Sequence, residues 1–262
     1  MLIWFILARG VRIMKETIKN NIKYIIFLAF SGLVGGYFTG IYTVQSLSPE
    51  LINEVVAEIG SIEILYLITV LQSLGYAVCL GLLGKILAKK IGLWKKIEFS
   101  QEAIKAIILI SVIGGAIFIL SDYYVFNNFS SVIKDSYVLK PTIEYIIASI
   151  IYGGVVEEIM LRLFLMSLIA FIIQKVYKRE EMTEKILIIA NVIAAILFAA
   201  GHLPATVITI GITPMILFRC FLLNGGFGLM FGRLYRKYGI HCAMLAHAGV
   251  HIVSKLIWIL FI

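Results

Sequence analysis

Seven long apolar runs, separated by short polar stretches, organise the chain: Tyr24 to Val44, Ile64 to Leu87, Ile104 to Tyr123, Ile143 to Ile173, Ile186 to Gly201, Val207 to Leu234 and Ile240 to Ile262. At 1.5 Å of rise per residue, runs of this length read as helices that cross the roughly 30 Å hydrocarbon layer of a bilayer. The pattern predicts an all-α integral membrane protein of about seven or eight transmembrane helices, with any chemistry inside the helical bundle. The first eight residues, Met1 to Ala8, are apolar but too few to span, and they precede a basic cluster instead of following one. That order predicts an interfacial segment and an uncleaved first span rather than a signal peptide.

Composition agrees with the pattern. Hydrophobic residues fill 61% of the 262 positions, charged residues 15%, and the mean hydropathy is +1.01. A soluble domain needs a more polar surface than this. The net charge of +8 does not signal a nucleic-acid partner, because the basic residues are spread between the apolar runs. They read as topology signals instead. Arg9, Arg12, Lys15, Lys19 and Lys23 precede the first span, the next connection holds Glu50, Glu54, Glu58 and Glu63 with no Lys or Arg, and the basic content alternates onward. The positive-inside rule then places the N-terminus in the cytoplasm and the C-terminus on the opposite side, in what is expected to be the cell membrane. Cys79, Cys220 and Cys242 lie in apolar surroundings without CxxC spacing and read as buried small hydrophobes.

One run departs from the pattern. Glu157, Glu158 and Arg162 fall in the middle of Ile143 to Ile173, where each buried ionisable group costs several kcal/mol unless paired or hydrated. On an α-helix Glu158 and Arg162 share a face, whereas Glu157 points roughly 100° away from Glu158. Glu158 and Arg162 therefore form a supporting ion pair and Glu157 is left free. Arg219 and Lys255 read as cations that snorkel to the interfaces, and the glycines Gly225, Gly226 and Gly228 read as sites of close helix packing.

Three histidines complete a candidate set. His202 closes the stretch beginning at Phe198, and His247 and His251 stand four apart on one face of the last run. Runs four and five form an antiparallel hairpin turning near Glu180; Glu157 lies 23 residues before that position and His202 lies 22 after it, so the two should meet at equal depth. His247 and His251 lie 10 and 14 residues past Lys237, roughly 15 and 21 Å along the helix, a gap that tilt can absorb. A free carboxylate beside imidazoles suits hydrolysis, with a base to activate water and donors to hold an oxyanion. The same four residues, Glu157, His202, His247 and His251, are also candidate zinc ligands. There is no HExxH, GxSG or paired GxGD signal for another intramembrane protease chemistry.

The series Glu157-Glu158-x-x-x-Arg162, Phe198-x-x-x-His202 and His247-x-x-x-His251, with the glycine-bearing helix after Asn224, resembles the CAAX-protease and bacteriocin-processing family of intramembrane proteases. The resemblance covers roughly Pro141 to Lys255, which divides the chain into N-terminal membrane helices over 1–140 and a protease core over 141–262. It implies Glu157 as the catalytic glutamate, His202 as the histidine sharing its water, and His247 as the oxyanion-stabilising group. His251 stands where the family commonly has asparagine. The expected function is an intramembrane endopeptidase acting on a small peptide or membrane-protein substrate, with no cofactor favoured and zinc left open. A bacteriocin-immunity factor or scaffold without turnover is the rival, and a proton-coupled transporter the third reading, weakened by the lack of a duplicated half.

Overall fold

Serine and threonine mark where most of the helices begin. Ser48, Ser61, Ser100, Thr142, Thr183 and Thr213 each have extended backbone and accept the main-chain N–H three residues on, satisfying a donor that would otherwise be orphaned at the helix start. The computed structural model describes residues 21–262 in full, together with Lys19 and the helical backbone from Leu2. The interfacial segment expected at Met1 to Ala8 lies outside the described residues.

No strand occurs among the described residues. The elements used below are α1 (Leu2–Ser46), α2 (Pro49–Ile59), α3 (Ile62–Lys90), α4 (Gln101–Tyr124), α5 (143–176), α6 (Glu184–Gly201), α7 (Leu203–Thr209), α8 (Pro214–Tyr238) and α9 (Ile240–Phe261). Among the described residues six helices are long and apolar enough to cross a membrane, with α6 and α7 counted as one unit. The remaining long helix, α5, carries Glu157, Glu158 and Arg162 and is not among the six. In each of those six, between 22% and 44% of the most apolar window is buried within the protein. The remainder presents Leu67, Leu71, Ile108, Leu109, Ile193, Leu197 and many similar side chains outward, a surface far more apolar than water tolerates. The protein is an integral membrane protein.

Against the expected spans, the sixth begins later. Val207 belongs to α7, a continuation of the fifth span, and the chain breaks at Gly211, with φ of 82°, before Thr213 and Pro214 start α8. Glycine permits the left-handed turn and proline is suited to the first helical position, so the break is local chemistry.

Packing is organised around α9, which lies against α4, α8 and the first half of α5, while α1 packs on α3 and on the start of α5. Close approach is explicit at Gly232, where a Cβ would sit 1.7 Å from the Asn191 side-chain oxygen. Asn191 donates to the Leu229 carbonyl at 3.0 Å and so clamps α6 to α8. Gly228 serves the same contact, its Cβ position lying 3.0 Å from Ala195 and 3.2 Å from Arg162. Gly225 and Gly226 do not: at Gly225 nothing lies nearer than 3.8 Å, and at Gly226 nothing lies within 4 Å.

Other expectations need correction. Arg219 and Lys255 do not snorkel; Arg219 pairs with Asp122 and Lys255 is 3% exposed between aromatic rings. Cys220 and Cys242 are buried as expected, but Cys79 is exposed, on a helix face with few protein neighbours.

Candidate active site

The site is built where α5 is not an ordinary α-helix. Over Ser149–Glu157 and again over Ile159–Met166 it is underwound into π-helix, a geometry with i→i+5 bonding that is rare and recurs at functional sites. Gly153 and Gly154 fall in the first of these stretches and let α9 come close. A Cβ on Gly154 would stand 2.7 Å from the Ala248 Cβ, and one on Gly153 would stand 2.9 Å from His251 Nε2 and 3.8 Å from His247 Nε2. The bare backbone at Gly153 thus lets the imidazoles pack directly against it.

The two glutamates part as the helical geometry requires. Glu158 is fully buried, and its Oε1 lies 3.0 Å from Arg162 Nη1 and 2.8 Å from His247 Nδ1. The expected pair is therefore present, with a third member that periodicity alone did not reveal. Arg162, 2% exposed, is roofed by the rings of Phe198 at 4.6 Å and Phe231 at 5.5 Å. Phe231 also stacks on His247, centroid to centroid 4.4 Å, fixing the imidazole plane. With Nδ1 turned to the carboxylate, His247 holds its proton there and directs Nε2 toward Gly153.

Glu157 is on the other side of the helix. Its Oε1 is 3.9 Å from His202 Nε2, and the two side chains keep 18% and 35% exposure. The equal depth inferred from the hairpin is the depth they occupy. His202 Nδ1 is 2.9 Å from the Phe198 carbonyl, which can only accept, so Nδ1 carries the proton and Nε2 of the neutral ring faces Glu157 as an acceptor. A separation of 3.9 Å is too long for a direct hydrogen bond and fits one water bonded to both groups at about 2.8 Å each.

His251 stacks with His247 at 5.0 Å and meets Phe118 edge-on at 6.2 Å. Its buried Nδ1 has no hydrogen-bond partner among the described residues. His241, left out of the candidate set, lies away from it, its Nε2 3.2 Å from the Glu98 carbonyl. Asn224 donates to Cys220 Sγ and does not reach the site.

The four candidate metal ligands do not converge as a ligand set. Glu157 neighbours His202, whereas His247 is engaged by Glu158, and among the described residues no group of three or more His, Cys, Asp or Glu is gathered to hold an ion.

Sequence reasoning missed Asp122. It is 4% exposed near the end of α4 and receives two bonds from Arg219, at 2.6 and 2.5 Å. The rule that flags Glu157, an ionisable group in an apolar run, flags Asp122 equally; its partner 97 residues away has no sequence signature.

Comparison with known proteins gives one finding. Residues 139–253 match the family model described as type II CAAX prenyl endopeptidase Rce1-like. The matched stretch contains Glu157, Glu158, Arg162, His202, His247 and His251, and it indicates a CAAX-type intramembrane protease. No curated protein and no solved structure matches the chain.

Proposed function

We propose, from the premise that residues 139–253 form an Rce1-like domain, that this protein is an intramembrane endopeptidase in which Glu157 activates water against a peptide carbonyl. The observation that carries the reading is the contrast between the two glutamates. Glu158 is engaged through its Oε1 by Arg162 and His247, and Glu157 is free, partly exposed and 3.9 Å from His202.

The water between Glu157 and His202 donates one hydrogen to each. Glu157 takes its proton as the oxygen attacks the scissile carbonyl, and the resulting oxyanion is held by the imidazoles of His247 and His251. His247 donates from Nε2 as an imidazolium, with Nδ1 still held by the Glu158 carboxylate. Collapse breaks the C–N bond, and Glu157 returns its proton to the departing amine. Water activation here needs no metal, so hydrolysis survives chelation. The substrate is a membrane-associated peptide, and the family description makes a prenylated C-terminal segment the first to try. The alternating basic loops support a cytoplasmic N-terminus in the cell membrane.

The test is hydrolysis by purified full-length protein in micelles, with prenylated and plain peptides. Glu157→Gln preserves shape and removes the base, so turnover drops by a factor on the order of 100 or more with the melting midpoint unchanged. A folded Glu157→Gln protein that cleaves like wild type overturns the assignment. A folded wild type that cleaves nothing favours the non-enzymatic reading.

A further inference from the structure

The ends of α3 and α5 flank a concavity of about 670 Å³ on the side of the membrane that the basic connections share. A glycine brings the two helices together before they reach it, since a Cβ on Gly84 would stand 2.9 Å from the Leu163 carbonyl. Beyond that contact Lys90 closes α3, and Phe171, Gln174 and Lys175 fall on one stripe of α5 at i, i+3 and i+4. The chain then turns back through Lys178, whose φ of 49° is a left-handed conformation more usual for glycine. The Arg179 N–H bonds to the Gln174 carbonyl at 3.0 Å, and Gln174 Nε2 donates to the Glu180 carbonyl at 3.2 Å. The turn is thereby braced on α5, and Lys178 and Arg179 join the wall of the concavity.

Charge here is unbalanced. Lys90, Lys175, Lys178 and Arg179 face a single lining carboxylate, Glu180, and none of the four cations forms an ion pair among the described residues. Lys90 and Lys175 converge on one ring, with Nζ 5.6 and 5.7 Å from the Phe171 centroid. The ring attracts each ammonium but does nothing for the repulsion between them, so an anion beside both is favoured. The positive-inside rule accounts for basic residues in these connections but not for their gathering. Lys96 and Lys105, in the neighbouring basic stretch, stand exposed with no shared ring.

What lies beneath the cations says which anion. Leu83, Ile86 and Lys90 share one face of α3, at i, i+3 and i+7, and both apolar members are exposed. On α5 the exposed Ile172 precedes Lys175 by three on one face. The cations thus cap two outward apolar faces at the level where the spans end, which is where a phosphate headgroup sits above its acyl chains. We propose that this concavity binds the headgroup of an anionic phospholipid, with its acyl chains along Leu83, Ile86 and Ile172. Bound there, the headgroup ties the end of α3 to the turn between α5 and α6 and braces the helix that carries Glu157 and Glu158. A free phosphate would meet the same cations but leave the apolar faces without a partner. The binding does not depend on the hydrolytic reading.

The test uses delipidated full-length protein in neutral-detergent micelles doped with either phosphatidylglycerol or phosphatidylcholine. Native mass spectrometry counts the lipid retained, and the melting midpoint reads its effect on the fold. Wild type retains phosphatidylglycerol about 10-fold or more over phosphatidylcholine, and only phosphatidylglycerol raises the midpoint. The double variant Lys90→Gln/Lys175→Gln weakens phosphatidylglycerol binding by roughly 10- to 30-fold, whereas the equal charge change Lys96→Gln/Lys105→Gln shifts it by less than about twofold. Should the first pair unfold without lipid, Arg179→Gln, on the turn, carries the same comparison with a loss of about fivefold. Equal retention of the two lipids by wild type overturns the proposal without recourse to any variant. So does an equal loss in the two double variants, which marks a diffuse surface charge rather than a site. A midpoint rise from inorganic phosphate or glycerophosphate that matches the rise from phosphatidylglycerol also overturns it, because the ligand is then a free anion.

Discussion

Arg162 and Glu158 lie one turn apart on α5 with side chains 2% and 0% exposed, whereas Arg219 and Asp122 come from helices 97 residues apart and keep 16% and 6% exposure at a cavity wall. Both are buried arginine–carboxylate pairs, yet they hold different things. The first needs no tertiary contact to form, and its tertiary effect is to capture His247 Nδ1 and aim the ring. The second is itself the contact, a two-bond bridge between α4 and α8. A pair made within one helix can orient a reacting group; a pair made between helices fixes where the helices sit.

The comparison breaks most visibly at Arg162. Arg162→Ala strands the fully buried Glu158, which costs roughly 3 to 5 kcal/mol; thermal or denaturant unfolding in micelles measures it. A variant as stable as wild type but inactive would move Arg162 from support into the chemistry. Arg219→Ala should cost less, about 1 to 3 kcal/mol, because Asp122 borders a cavity and keeps the Tyr137 hydroxyl as a donor. Equal losses from the two variants would mean that the cavity does not relieve the stranded charge. Tyr137→Phe removes only the 3.3 Å bond to Asp122 and should cost about 0.5 to 1.5 kcal/mol. If Tyr137→Phe costs as much as Arg219→Ala, the hydroxyl rather than the guanidinium is the main partner of Asp122.

Legibility in the sequence follows the same division. The helical period placed Glu158 opposite Arg162 and set Glu157 apart, and counting from the turn near Glu180 brought Glu157 to His202. Local rules suffice for both. The bond from Glu158 to His247 spans 89 residues and depends on how α5 meets α9, which no periodicity encodes. The π-helical stretches escaped because an underwound turn and an α turn share the same apolar composition. Lys255 was misread for a related reason. A lysine on a long flexible stem in an apolar run has the reach to snorkel, and only the packed rings of Tyr145 and Phe118 show that it turns inward. The break at Gly211 and Pro214 was legible, since both residues announce it, and hydropathy overrode them.

The bridge between α4 and α8 also has a history during synthesis. Asp122 enters the bilayer with the third apolar run, while Arg219, its only two-bond partner among the described residues, belongs to the sixth. A buried carboxylate without its cation is costly, and Asp122 and Arg219 come from apolar runs made at different times. The seating of α4 and of α8 is thereby coupled through one ion pair, and α9, which packs along α4, shares in that coupling.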